Sequence, residues 1–464
     1  MDLLIKNGTL VSSSGKYKAD IAVVNGVISE IGKNLIPDKD TKVVDAKGKL
    51  VLPGAIDLHT HLAMPFGGTV SADDYYAGTR AAVCGGTTTV FDFALQDFNE
   101  SILDTVKRRD AICAPDAVCD YAFHVGIKDL SNGLLSTMDD AVKFGVPTFK
   151  AFMVYDFGVQ DGDLFRLLEH SKEIGARVSV HAENRDAIAV LTKRFLEEGK
   201  TSAWYHYMSR PEWVEEEADI RAINFAKALG APLYIVHVGS KGGIEAIERA
   251  KRDGVEVYAE TCPQYLEFTS DVYKRVDARD FVCSPPMKGK ESKDALWRAI
   301  NLGVVDTVAT DHCPFQRTEK DWGKNDFTKI PNGCAGVENM YPYMLSEANK
   351  GKTTIETVVK LCSENPAKLS GCKQKGFLKP GFDADIVVYD PKLEFTITND
   401  KMHSDCDHTI WEGKKLKGYP VMTFSRGRLV YENGEFKGER GWGRMVKRSL
   451  KYAVNGVDDY GRKV

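Results

Sequence analysis

The stretch Leu50-Val51-Leu52-Pro53-Gly54-Ala55-Ile56-Asp57-Leu58-His59-Thr60-His61 is an apolar run that ends in two histidines. Residues two apart on a β-strand point to the same side, so His59 and His61 aim two imidazoles at one point. Imidazole nitrogens suit a zinc-class metal. A single His-x-His is a common chance pairing, so its weight depends on what the rest of the chain does.

Outward from this stretch, short apolar strands alternate with amphipathic helical segments, the pattern of a parallel α/β fold. Eight strands are predicted: Val51–Leu58, Thr87–Phe93, Val118–Val125, Pro147–Phe152, Arg177–His181, Leu233–His237, Val255–Glu260 and Asp306–Asp311. Helices such as Asp163–Ile174, Glu215–Leu229 and Gly243–Arg252 fall between them, and eight such units fit a (β/α)8 barrel. The two ends of the chain read differently. Ala22-Val23-Val24, Asn25-Gly26 and Val27-Ile28 form a hairpin with a tight primed turn, and Arg428–Tyr431 and Glu435-Phe436 flank a second such turn at Asn433-Gly434. Two β segments at opposite ends can pair into one small sandwich with the middle emerging as an insertion. The expected organisation is a β-sandwich from residues 1–52 plus 377–464, and a barrel from 53–376.

Composition narrows the class. At 464 residues the chain exceeds one ordinary core, and 43% hydrophobic with 28% charged residues is ordinary for a globular enzyme. A net charge of −4 gives no electrostatic reason for nucleic acid or an anionic membrane as partner. No run approaches the apolar length that spans a bilayer, and Met1–Gly8 lacks the pattern of a signal peptide. The ten cysteines are scattered without a Cys-x-x-Cys, which reads as reduced thiols in the cytoplasm.

Barrel enzymes place their active site at the C-terminal ends of the strands. Those ends carry His59, His61, Asp92, His124, Lys150, His181, His237, Glu260 and Asp311, where random ends would be apolar or turn-forming. Lys150 sits in Pro147-Thr148-Phe149-Lys150-Ala151-Phe152-Met153, a strand otherwise suited to burial. A buried ammonium is either paired with a carboxylate or chemically altered. In the second case the neutral amine, favoured by desolvation, attacks CO2 to give a carbamate whose two oxygens can bridge two metals. Asp311 is either a ligand that also exchanges a proton with water or a cap of the following helix. His312 points away from it, Cys313 has no identifiable base, and His124 reads as a satisfied core residue. Packing or surface roles suffice for His170, His206, His403 and His408. Tyr155, just past the fourth strand, is either a donor to a developing oxyanion or an aromatic packed in its loop. Ser284-Pro285-Pro286 and Pro331-Asn332-Gly333 are rigid segments that can present backbone to a substrate or only turn the chain.

With these residues in place the chain resembles the cyclic amidohydrolases of the D-hydantoinase and dihydropyrimidinase family. The motifs are Gly54–His61, Met64-Pro65-Phe66-Gly67-Gly68-Thr69, Phe149–Met153, His181-Ala182-Glu183-Asn184, Glu260–Leu266, Ser284-Pro285-Pro286, Thr310–Phe315 and Pro331-Asn332-Gly333, in family order over nearly the whole chain. The resemblance implies a barrel plus sandwich, two zinc ions, a carboxylated lysine and a homotetramer or homodimer. It implies that His59, His61 and Asp311 hold one metal, that His181 and His237 hold the other, and that Lys150 as carbamate (N6-carboxylysine) bridges them. Tyr155 matches the oxyanion donor. Ser284 and Asn332 match positions whose backbone holds the imide or ureide edge of the substrate ring. Met64, Phe66 and Phe152 belong to loops that receive the ring substituent; past Tyr155 this chain is shorter and less basic than many members.

The implied reaction is zinc-dependent opening of 5-substituted hydantoins or dihydropyrimidines to N-carbamoyl amino acids, by a metal-bridging hydroxide with Asp311 as proton shuttle. A dihydroorotase should show an arginine near the metal histidines, and His61–Phe66 offers none. An allantoinase shares the metal centre, and a non-enzymatic binding protein of the same fold would have lost ligands that are intact here. The tail with Trp442 and the basic stretch from Arg444 to Lys451 is expected to be an oligomer arm, because Trp442 is costly to expose.

Overall fold

The computed structural model of the protein describes residues 1–450. Eight parallel strands, Ala55–Thr60, Thr87–Leu95, Asp120–Gly126, Thr148–Phe152, Arg177–His181, Leu233–Ile235, Val257–Thr261 and Thr307–Val308, pair in chain order. The ring closes where Thr60 bridges His312, with His61 N–H donating to the His312 carbonyl at 2.8 Å. The (β/α)8 barrel expected from the alternation is therefore present. Its strands show the period of two that a barrel wall demands. Phe149 and Ala151, Val178 and Val180, and Val257 and Ala259 pack outward in the main core beneath the helices. The intervening positions face the interior, where Ile56, Leu58, Phe91, Ala122, Tyr234, Val236 and Ala309 form a separate cluster.

Nine strands from the two termini form the second sheet, joined where Leu50–Pro53 runs antiparallel to Ile386–Thr396. The sheet curls on itself: Ile28 N–H donates to Phe382 O, and Gly381 N–H to Ile28 O, both at 2.8 Å. Its own core includes Leu3, Ile21, Val23, Val51, Ile386, Val388 and Phe424. Both predicted turns have positive φ at each central residue, Asn25 and Gly26 at 51° and 76°, Asn433 and Gly434 at 49° and 95°, as type I′ hairpins require.

Three strand expectations are corrected. The single strand Val51–Leu58 is two strands in two sheets, broken at Gly54, whose N–H donates to Asp385 O at 2.9 Å. Only glycine fits there, since a Cβ would lie 2.1 Å from Thr88 Oγ1. The sixth and eighth barrel strands stop at Ile235 and Val308, because the chain turns into left-handed backbone at His237 (φ 40°) and Asp311 (φ 53°). In the tail, Trp442 is covered by Arg426 and Arg428 of its own chain, at 4.2 and 4.9 Å from the ring centroid. Lys451 and the remainder of the tail lie outside the described residues.

Lys375 joins the two sheets. Its buried ammonium lies 2.5 Å from Asp120 Oδ2 at the start of the third barrel strand, and 2.8 Å from both Asp383 and Asp385 before the terminal sheet. Burial opposes its charge, but the three carboxylates hold its pKa above the usual lysine range. K375M leaves three buried carboxylates without this cation and is expected to cost about 3–5 kcal/mol of stability, read as a lowered urea midpoint.

Candidate active site

Because alternate residues face inward, the strands that supply Phe149 and Val180 to the outer core also turn Lys150 and His181 into the barrel mouth. A register shift between Asp57 and Thr60 brings His59 and His61 to the same place. One cleft enclosing about 520 Å³ is lined by His59, His61, Lys150, His181, His237 and Asp311, together with Tyr155, Ser284, Asn332, Met64, Phe66 and Phe152. Every residue singled out for metal, substrate or proton chemistry reaches it. Phe157 and Cys313 complete the lining. The Cys313 thiol is pushed far up by burial, which makes it a poor nucleophile.

His59 Nε2 and His61 Nε2 stand 3.1 and 2.9 Å from Asp311 Oδ1. Ligand atoms of these three residues all lie within 4.8 Å of one another, close enough to hold one metal ion together. His181 and His237 meet edge to face with ring centroids 4.5 Å apart, and His237 lies 5.3 Å from His59. Burial lowers the pKa of His61, His181 and His237, leaving neutral rings with free lone pairs. Burial also opposes charge on His59, but Asp311 and Glu260 raise it to about 9. Asp311 would be raised by burial, yet His59 and His61 hold it well below the carboxylate range. Lys150 shares the lining, wholly buried, its Nζ 5.4 and 5.5 Å from the ring centres of Phe93 and Phe152 and without a hydrogen-bond partner. Burial pulls its pKa down to about 7, against the opposing pull of Glu260 and Asp311. The donor set, imidazoles gathered about a carboxylate with an unpartnered buried amine in the same lining, could hold a metal ion.

Two buried carboxylates orient the rings from behind. Glu260 Oε1 accepts from His59 Nδ1 at 2.7 Å and from His237 N–H at 3.2 Å, while Oε2 accepts from Tyr234 at 2.8 Å. Glu183 Oε2 accepts from His181 Nε2 at 2.7 Å and Arg210 Nη1 at 2.6 Å, which leaves His181 Nδ1 for the cleft. Burial would raise Glu183, but Arg210 and His181 keep it ionised. The pairing of His181 with Glu183 was legible in their i,i+2 spacing; nothing local pointed to Arg210.

Not every polar strand end enters the cleft. Asp92 faces outward, bound by Arg109 at 2.9 and 3.1 Å and by Leu62 N–H at 3.1 Å. His124 faces the interior but is satisfied by Thr148 Oγ1 at 2.8 Å and Leu58 O at 3.1 Å. His312 is held by Asp73 Oδ2 at 2.9 Å behind the wall. Tyr155, at φ 70°, stacks on Phe157 and bonds through its hydroxyl to Ser284, whose Oγ accepts from Asn332 Nδ2 at 3.1 Å.

Glu260 contacts one histidine of each pair, so E260Q should weaken metal retention about 10–100-fold, measured by dialysis against a graded chelator.

The model of the amidohydrolase family matches residues 50–430. The chain is 39% identical over 454 residues to the D-hydantoinase of Ralstonia pickettii, covering 97% of this chain and 99% of that protein. It is 40% identical over 462 residues to the D-hydantoinase of Geobacillus stearothermophilus, with 98% of each covered. The crystal structure of the dihydropyrimidinase from Brevibacillus agri NCHU1002 superposes with a TM-score of 0.95 at 40% identity, over 97% of this chain and 99% of that one. Likeness of this extent, in a barrel whose mouth gathers histidines around an aspartate, shows that the chain belongs to the amidohydrolase family, among the D-hydantoinases and dihydropyrimidinases.

Proposed function

We propose that this protein hydrolyses the ring amide of 5-substituted hydantoins, dihydropyrimidines or both, giving N-carbamoyl amino acids. What carries the reading is the convergence of four neutral or paired histidines, Asp311 and an unpartnered buried Lys150 on one cleft, in a chain so similar to D-hydantoinases. Two zinc ions, held by His59, His61 and Asp311 on one side and His181 and His237 on the other with Lys150 between, would supply a water activated near neutral pH and a Lewis acid for the carbonyl.

The protein's own groups do the rest. Lys150, as its neutral amine, adds to CO2 and releases a proton, becoming a carbamate anion. Ser284 and Asn332 hold the imide or ureide edge of the ring. Burial raises the Tyr155 phenol above its ordinary range, so it stays protonated and donates to the oxygen that gains charge when water adds to the ring carbonyl. Asp311 accepts the water's proton and returns it to the ring nitrogen as the C–N bond breaks. Met64, Phe66 and Phe152 surround the substituent; apolar contact of this kind discriminates modestly, so several side groups should be accepted. The ten thiols, all free and buried, suit a reducing cytoplasm, and a homotetramer or homodimer with a small cyclic ureide or imide as its ligand completes the reading. No helix of the described residues is long and apolar enough to cross a membrane.

Zinc-loaded and chelator-treated protein should be compared on dihydrouracil, a 5-substituted hydantoin and allantoin. Metal-dependent opening of the first two is expected; turnover of allantoin alone would replace the substrate class. Lys150→Ala should lose metal and activity together. In the wild type, reactivation of stripped protein by zinc should be accelerated by bicarbonate. It should also speed up as pH rises through about 7, where the lowered Lys150 sheds its proton. Tyr155→Phe should lower kcat about 10²–10³-fold if the phenol stabilises the oxyanion.

A further inference from the structure

Lys320 ends the short helix Arg317–Lys320 and has no solvent exposure. Its Nζ donates to three backbone carbonyls, Val282 at 3.0 Å, Pro331 at 2.8 Å and Gly333 at 2.7 Å. Burial pushes its pKa down, and no carboxylate of the described residues makes an ion pair with it. A buried ammonium held by peptide dipoles and the face of Phe315, 5.8 Å away, with no ion-pair partner, is costly, and filling space does not call for one. The three carbonyls belong to the two loops that carry Ser284 and Asn332. The Val282 carbonyl shares its peptide with Cys283 N–H, that of Pro331 with Asn332 N–H, and that of Gly333 with Cys334 N–H. Beside the lysine, Gly333 N–H to Val282 O at 2.9 Å, Asn332 Nδ2 to Ser284 Oγ at 3.1 Å and a thiol contact between Cys283 and Cys334 tie these segments, so the ammonium is the one charged member of the tie.

We infer that Lys320 is a positioning residue for the substrate: its ammonium clamps the 282–284 and 331–334 loops at one spacing and polarises the Pro331–Asn332 peptide, making Asn332 N–H a stronger donor to a ring carbonyl. The inference rests on the reading of Ser284 and Asn332 as the ring-holding positions. A charged donor on a carbonyl strengthens the hydrogen bond made by the N–H of the same peptide. Lys320 touches no reacting atom, so its loss weakens binding of substrate and transition state alike, raising KM and leaving kcat almost unchanged.

The test uses the zinc-loaded full chain with hydantoin and dihydrouracil. K320M removes charge and donors; K320Q removes the charge and keeps N–H groups; K320R keeps the charge. K320M should raise KM about 30-fold with kcat within about three-fold and wild-type metal content, with K320Q and K320R between it and wild type. An unchanged KM in K320M or K320Q, or kcat and metal content falling while KM stays, overturns the assignment. Amide hydrogen exchange supplies a readout independent of turnover: the 282–284 and 331–334 segments should exchange at least about ten-fold faster in K320M and K320Q while the barrel strands stay unchanged. Unchanged exchange overturns the clamp. Should K320M not fold, K320Q carries both measurements. If the wild type opens neither ring, the activity reading fails and the substrate half of this inference falls with it, while exchange still decides the clamp.

Discussion

Glu260 is fully buried, and both of its oxygens are engaged inside the barrel: one by His59 Nδ1 and the backbone of His237, the other by the Tyr234 hydroxyl. Most of the site's geometry follows from that carboxylate. With His59 tied at Nδ1, its Nε2 must face the cleft; with His237 N–H held, the sixth strand's end stays where its ring can meet His181. A buried carboxylate is tolerable only when its lone pairs are satisfied, so the rings it holds cannot drift without exposing the charge to a low-dielectric interior. Glu183 holds His181 through one oxygen, which Arg210 also engages. The cleft is pre-organised from behind by anions, and its front is left to the ring nitrogens, Asp311 and Lys150.

Buried cations play the matching part at the seams of the fold, by two different means. Lys375 is surrounded by three aspartates and joins the barrel to the terminal sheet through full ionic pairing. Lys320 has carbonyls and an aromatic face in place of carboxylates, and Arg448 resembles it, donating to the carbonyls of Ser370 and Phe123 and to Thr148 Oγ1 at the base of the barrel wall. Its guanidinium also lies 4.7 Å from the centre of the Phe91 ring, and burial without a carboxylate partner lowers Arg448 to about 10. Removing an ion-paired cation strands charges and destabilises the fold, whereas removing a dipole-paired one relaxes the backbone it gathered. The location of each therefore decides whether stability or loop geometry depends on it.

Strain gathers at the same rim. His237, Asp311 and Tyr155 all adopt left-handed backbone that non-glycine residues avoid, each at a cost of order 1 kcal/mol or more. Each lies just beyond the end of a barrel strand, where a residue continuing the pleat would point along the wall. The turn instead aims the side chain into the cleft, and the helices and hydrogen bonds on either side hold it there.

How far the sequence could be read follows from the range of the interactions involved. Alternation with period two, the Asn25-Gly26 and Asn433-Gly434 turns, and histidines recurring at strand ends are local patterns. They were enough for the barrel, the pairing of the two termini and the histidines, Lys150 and Asp311 of the cleft, because a barrel converts strand-end position into proximity. The resemblance of the motifs supplied the family and the roles of Tyr155, Ser284 and Asn332. Only the tertiary structure could separate Asp92, turned outward to Arg109, from Lys150 two strands away, since an end residue one position out of register faces the helices instead of the interior. It also decided the break at Gly54, where the close approach of Thr88 admits no side chain, and the partnerships of Glu183 with Arg210 and of Lys320 with three carbonyls. Those depend on segments remote in the chain meeting in a dry interior. There the cost of an unsatisfied charge selects the partner, and no local pattern records which one it will be.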